Sequence, residues 1–298
     1  MHHICICVCT YKRPILLGKL LAKLERQATE DLFGYSIVVA DNDKFESARH
    51  AAESFAEGSN ISIRYCVEPV QNIALARNKV IENAAGDFVA FIDDDEFPQD
   101  QWLLNHYRAL NRYNSDGVLG PVLPLFEVKP PGWVLEGGFF DRPTHTTGFV
   151  LDWPNTRTGN ALLKMQVFEY DSMWFDPAYG SGGEDRDFFR RKIERGNVFV
   201  WCNEAPVFEV VPPHRWDRRI LLKRALLRGK MALNEAGSRP LSVLRSTAVI
   251  AFYAGCLPLF FVLSHFVFMK YFIKSFDHLG KVLGFLGADL VKEKYVGF

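Results

Sequence analysis

The 298-residue chain has no net charge, since 35 Lys and Arg meet 35 Asp and Glu. It also lacks a secretory sorting signal: "MHHICICVCTYKRP" has no basic opening stretch, and its apolar run is too short for a signal core. The amino-terminal part is therefore expected to stay in the cytoplasm. No GxxxxGK[ST] loop occurs and no GxGxxG follows a strand, so ATPase and dinucleotide-binding readings lose their main support. No internal repeat or low-complexity segment is visible. Of six cysteines, Cys5, Cys7 and Cys9 alternate with apolar residues, the period of a strand with all three thiols on one face. Such neighbours cannot form disulfides, and no second His or Cys cluster completes a zinc-like set. They read as buried strand thiols.

What is present is an alternation. The apolar runs "HICICVC", "YSIVVAD", "SIRYCV", "DFVAFID" and "GVLGPV" read as strands, with helical patterns between them at 14–27, 45–57, 72–84 and 99–113. This order predicts an α/β fold of βαβ units with a mainly parallel central sheet, whose ligands bind at the carboxyl edge of the strands. Polar residues collect at that edge: Thr10 ends the first run, Asp41 and Asp43 close the second, and Asp93, Asp94 and Asp95 close the fourth. Consecutive carboxylates leaving a buried strand are tolerable only if they are solvated or share a cation. Either a solvated acidic turn or a cation site satisfies that condition. After residue 120 the pattern loosens into Pro-rich and aromatic loops, followed by "TGNALL" and then "EDRDFFRRKIE", whose early acids and later bases suit a helix start.

The ordered set "CTYKRP", "VVADND", "NIALARNK", "GDFVAFIDDDE", "TGNALL" and "GGEDRDFFRR" resembles glycosyltransferase family 2, over about residues 3–230. The nearest flavour is the bacterial exopolysaccharide glucosyltransferases of succinoglycan type. The resemblance implies the GT-A nucleotide-sugar-binding fold. It also implies that Thr10 and Asp41 contact a uracil base with Asp43 nearby, and that Arg77 lines the nucleotide pocket. Asp93 falls on the ribose and metal position. Asp95 falls on the Mg²⁺ or Mn²⁺ that bridges the donor's diphosphate. Asp185 matches the general base, with Glu184 and Asn160 shaping the acceptor side. The implied reaction is an inverting, metal-dependent transfer of glucose from UDP-glucose to a lipid-linked oligosaccharide in exopolysaccharide or surface polysaccharide synthesis. A nucleotidyltransferase on the same sheet edge and a non-catalytic glycan- or lipid-binding subunit are the alternatives.

Zero net charge hides a partition. Residues 1–211 carry a net −9, residues 212–245 a net +7 and residues 246–298 a net +2. The expected organisation is a catalytic domain over 1–211, a basic helical collar over 212–245 and a membrane-associated hydrophobic and amphipathic segment over 246–298. Residues 246–269 contain no Asp, Glu, Lys or Arg across 24 positions, long enough to span a bilayer. Pro258 and His265 weaken a simple span and leave an interfacial or re-entrant helix pair open, beside a buried core helix. Residues 270–294 read as an amphipathic, interfacial helix. A basic collar directly before an apolar run fits anionic membrane lipid better than nucleic acid. The expected location is the cytoplasmic face of the bacterial inner membrane.

Overall fold

The computed structural model describes residues 1–169, 173–180, 182–234 and 238–288. The first half follows the expected alternation: β1 (His2–Thr10), α1 (Pro14–Leu24), β2 (Phe33–Asp41), α2 (Arg49–Gly58), β3 (Ile63–Val67), α3 (Ile73–Asn83) and β4 (Phe88–Ile92). Next come β5 (Glu96–Pro98), α4 (Trp102–Tyr113), β6 (Gly117–Leu119), β7 (Val122–Leu125) and α5 (Gly132–Gly137). The order ends with β8 (Asn160–Lys164), α6 (Glu184–Glu194), β9 (Phe199–Trp201), β10 (Val207–Val210), α7 (Arg218–Asn234), α8 (Arg239–Leu263) and α9 (His265–Phe285).

Seven strands form one sheet in the order β3-β2-β1-β4-β8-β6-β9. All its neighbours run parallel except β8, which is antiparallel to both β4 and β6. A second sheet joins β5, β10 and β7. The fold is the expected α/β architecture. β1 and β4 read as continuous apolar runs because both faces are covered, the pattern of a buried parallel strand. Ile4, Ile6 and Val8 pack with the buried leucines of α1 and with Trp102, whereas Cys5 and Cys7 belong to the opposite core with Val80, Phe188 and Phe189. Cys9 packs partly against that second core, so the three thiols do share a face.

Local signals set the helix ends. Pro14 opens α1, where its missing N–H costs nothing, and Leu17, Leu20, Leu21 and Leu24 recur at the spacing of one buried stripe. The Asn72 side chain caps α3 by accepting from the Ala74 and Leu75 amides.

The chain divides into two compact units, Met1–Pro124 with Arg142–Val210, and Leu125–Asp141 with the described residues from Val211 onward. The second unit is helical, with Leu221, Ala225, Met269 and Ile273 at its centre and Trp133 packed against them. α7 and α9 approach closely at two glycines. A Cβ on Gly229 would overlap the Asp277 carbonyl, and one on Gly280 the Leu226 carbonyl. α8 runs from Arg239 through position 245, so one helix carries both the last basic residues of the collar and most of the apolar run. It stops at Leu263, Ser264 is extended, and α9 restarts at His265. The uncharged stretch is thus two helices. Among the described residues α8 is the one helix long and apolar enough to cross a membrane, and only 6% of its apolar window is buried. Of the expected amphipathic segment, residues 289–294 lie outside the described residues.

One buried polar cluster pins the first unit together. Asn160 Oδ1 accepts from Trp102 Nε1 and His106 Nε2, both at 2.7 Å, while Nδ2 donates to the Pro121 and Ala205 carbonyls. His106 must therefore carry its proton on Nε2. Its Nδ1 is buried with no partner, and burial pulls the imidazole down to about 4 from 6.5. The folded protein then binds fewer protons than the unfolded chain between those values, so stability is complete above 6.5 and falls as pH drops towards 4. The loss expected is on the order of 3 kcal/mol. Thermal unfolding across this window should show that slope in the wild type and a flattened one in His106→Gln; equal slopes would remove His106 from the acid limb.

Candidate active site

The carboxyl ends of β1, β2 and β4 meet at one edge because the three strands are parallel and in register, with Thr10 beside Asp41. There a cleft of about 220 Å³ is lined by Thr10, Arg13, Arg77, Asp93, Asp95 and Glu209, with Asp94, Tyr11, Cys9 and Ile73 completing its wall. The three aspartates leave β4 in a turn, outside the strand. Asp94 is buried, accepting from Thr10 Oγ1 and Arg13 Nη1, each at 2.8 Å. Asp95 lies 3.0 Å from the same Arg13 nitrogen. Asp93 is the most open, its side chain 45% exposed, and lies 3.5 Å from Arg77.

Arg77 is buried in α3, pairs with Glu184 at the start of α6 and stands over the Phe175 ring. It ties the acidic edge to the second motif. Glu96 is also buried; its Oε2 accepts the Asp93 amide at 3.1 Å, and Arg142 bridges it to Glu209. β10 pairs with β5 so that Glu209 sits opposite Glu96. Around the cluster Asp93, Asp94, Asp95, Glu96 and Glu209 stand Arg13, Arg142 and Arg157, with Arg77 shared with Glu184. Carboxylate outnumbers guanidinium. Burial and neighbouring acids raise Asp94, raise Asp95 to about 7, and hold Glu96 well above the usual carboxylate range.

The expected residues divide by position. Thr10, Arg77, Asp93 and Asp95 come together in the cleft. Asp41 and Asp43 are buried and do not line it. The Asp41 carboxylate accepts from the Ala48 amide at 2.7 Å, the Asp43 amide at 3.0 Å and the Tyr65 hydroxyl at 2.9 Å, so it organises the loop after β2. Asp185 is partly exposed in the first turn of α6 and accepts from the Arg186 amide at 2.7 Å. Asn160 is in the core with every amide position in use, so it shapes the site only by holding β8. Arg13, Glu209 and Gly159 were not anticipated. Arg13 stood in the "CTYKRP" stretch directly before the helix-opening proline, and Glu209 as a lone acid in the apolar run "VFEV".

Residues 5–170 match the family described as Glycosyl transferase family 2. The succinoglycan biosynthesis protein ExoM of Rhizobium meliloti (strain 1021) is 35% identical over 232 residues, covering 76% of this chain and 73% of that protein. The chain belongs to glycosyltransferase family 2. Among solved structures, the mannosyltransferase PcManGT of Pyrobaculum calidifontis, in complex with GDP-Man and Mn²⁺, superposes with a TM-score of 0.66 at 17% identity, over 95% of this chain and 87% of that one. S. aureus TarS 1-349 in complex with UDP-GlcNAc gives 0.57 at 14% identity, over 98% and 95%, while the chain spans only 39% of another TarS chain. These likenesses place the family 2 transferase in the GT-A fold. Membership makes the chain a transferase and favours sugar transfer over nucleotidyl transfer or a non-catalytic subunit.

Gly159 tests the geometry of the transferase cleft. A Cβ there would lie 2.7 Å from Glu96 Oε1 and 3.2 Å from Asp93 Oδ2, so a methyl group must displace the acids it touches. Gly159→Ala should still fold, with a melting temperature lowered by a few degrees as buried Glu96 gives way, and should weaken nucleotide-sugar binding by about tenfold, the scale of one charge-assisted hydrogen bond misplaced. Titration calorimetry checks it, and wild-type affinity would show that these carboxylates do not face the donor.

Proposed function

We propose that the chain is an inverting, divalent-metal-dependent transferase that moves glucose from UDP-glucose to a lipid-linked oligosaccharide in exopolysaccharide assembly, at the cytoplasmic face of the bacterial inner membrane. The observation that carries the reading is the surplus of carboxylate over guanidinium at the sheet edge. Such a surplus is a standing demand for a cation. The donor set is all hard oxygen, the chemistry of Mg²⁺ and Mn²⁺. Among the described residues no three His, Cys, Asp or Glu side chains form a ready metal group. A site of one or two carboxylates completed by substrate phosphates is the usual arrangement for Mg²⁺. Asp95, with Asp93, would hold the ion, which when bound supplies charge stabilisation to the departing diphosphate.

The succinoglycan role of ExoM supports an exopolysaccharide product. The UDP and UDP-GlcNAc complexes of TarS support a uridine donor, and the Mn²⁺ in the PcManGT complex supports the metal. The exposed apolar helix α8 supports membrane association.

The chain's own residues divide the remaining work. Thr10 and the loop organised by Asp41 and Asp43 shape the base pocket. Arg77 fixes Asp93 on one side and Glu184 on the other, so Glu184 is committed to the ion pair. Asp185, one residue on and partly exposed, is left to take the proton from an acceptor hydroxyl as that oxygen attacks the anomeric carbon.

Two variants separate these roles. Asp95→Ala should lose transfer and also weaken UDP binding in the presence of Mn²⁺ by at least about tenfold, because one carboxylate fewer would hold the ion that offsets the diphosphate's charge; full activity in EDTA would remove the metal from the reaction. Asp185→Asn is nearly isosteric and cannot accept a proton. It should bind UDP-sugar normally while turnover falls by about 10²–10⁴-fold. Near-normal turnover in Asp185→Asn would move the base to another residue.

A further inference from the structure

A second cleft of about 360 Å³ lies in the helical unit, between α8 and α9, and nothing in the transfer chemistry uses it. Its walls are Leu241, Ser242, Arg245 and Ser246 from α8, with His278 and Lys281 from α9. With Ser238 just before α8, the lining holds two cations, three hydroxyls and an imidazole, and no carboxylate. Ser246 is buried and lies 3.2 Å from His278 Nδ1, which fixes the imidazole against α8. The nearest acid on α9, Asp277, is taken by Arg228 of α7 at 3.0 Å. Asp277 also acts on Lys281 at longer range, short of a close ion pair. Two adjacent helices therefore each turn a cation to one cleft, and an anion seated there would meet both.

The cleft's position on α8 gives the anion a second property. Arg245 and Ser246 stand where that helix changes from basic to apolar, and beyond them Phe252, Leu259, Phe261, Val262 and Leu263 are each more than half exposed. An anion seated at Arg245 would sit at the polar end of a surface suited to hydrocarbon. Two cations with hydroxyl donors match a phosphomonoester or diphosphate, with a charge near −2, better than a singly charged phosphodiester.

We propose that the α8–α9 cleft binds the phosphomonoester or diphosphate headgroup of a membrane lipid through Arg245, Lys281 and the Ser242 and Ser246 hydroxyls. The inference rests on the membrane-facing reading of α8, and its test separates the two. Full-length protein is floated with vesicles of phosphatidylcholine alone, with phosphatidic acid added, or with phosphatidylglycerol at matched surface charge. Wild type should prefer phosphatidic acid over charge-matched phosphatidylglycerol. In Arg245→Gln/Lys281→Gln that preference should fall by about tenfold, as expected for two lost charge-assisted contacts. Binding to phosphatidylglycerol should fall no further than in Arg219→Gln/Lys223→Gln, which removes the same charge from exposed positions of α7.

Retained preference in the cleft variant, or an equal loss in the α7 variant, would overturn the site. So would inorganic phosphate or pyrophosphate binding the detergent-solubilised protein as tightly as phosphatidic acid vesicles do, because the ligand would then be a soluble anion. Failure of the wild type to float with any vesicle would overturn the membrane-facing reading of α8 and the lipid site with it.

Discussion

Five carboxylates crowded at the end of a buried strand are the constraint around which the first unit is arranged. β4 is apolar on both faces, so its exit residues cannot spread into solvent as a surface turn would. Each acid takes the partner its direction allows. Arg13 from the turn before α1 meets Asp94 and Asp95, Arg77 from α3 meets Asp93, and Arg142 from the loop before β8 meets Glu96 and Glu209. Three arginines far apart in sequence are thereby tied to one strand end. Buried ion pairs of this kind add little net stability against well-packed apolar residues, because desolvation cancels much of the attraction. The apolar cores on the two sheet faces hold the fold, and the acids are retained at its expense.

That division explains why the site is polarised. Positive charge falls short at the cleft, and Asp93, the acid with most solvent access, is the one aimed into the open volume. The same edge carries a backbone approach that only glycine permits, at Gly159 against Glu96 and Asp93. Side chains are absent there because the carboxylates need the space. An edge built this way suits the proposed cation and diphosphate, whatever sugar the diphosphate carries.

The parts of this arrangement visible in the sequence are those set by short-range pattern. β1, β2 and β4 announce themselves as apolar runs closed by polar residues, and α1, α3 and α4 fill the intervals with helical spacing. Thr10, Arg77, Asp93 and Asp95 were legible because they stand at or near those boundaries. β6 falls in the run "GVLGPV", but the three- and four-residue strands β5, β9 and β10 carry too little periodicity to be read, and the antiparallel insertion of β8 follows from packing alone. Glu209 reaches Glu96 only through the pairing of β10 with β5, a contact across more than a hundred residues. Asp41 shows a further limit: its place at a strand end was legible, but the turn of its carboxylate into the following loop depends on the Ala48 amide and the Tyr65 hydroxyl. Asn160 likewise stood in a motif that suggested the site, whereas its four hydrogen bonds belong to the core.

The zero net charge of the chain now has a physical sense. Opposite charges that cancelled locally would give a surface of exposed ion pairs, each of little consequence. Here the first unit is net negative and the second net positive, and each has a cleft lined mainly by charges of its own sign. A like-charged cleft is costly in the free protein, and that cost is relieved by proton uptake or by a ligand of the opposite sign. On the proposed readings the acidic cleft would take a cation carried with phosphate, and the basic one phosphate itself. Segregation of charge, which leaves the sum at zero, gives one chain two sites of opposite electrostatic preference.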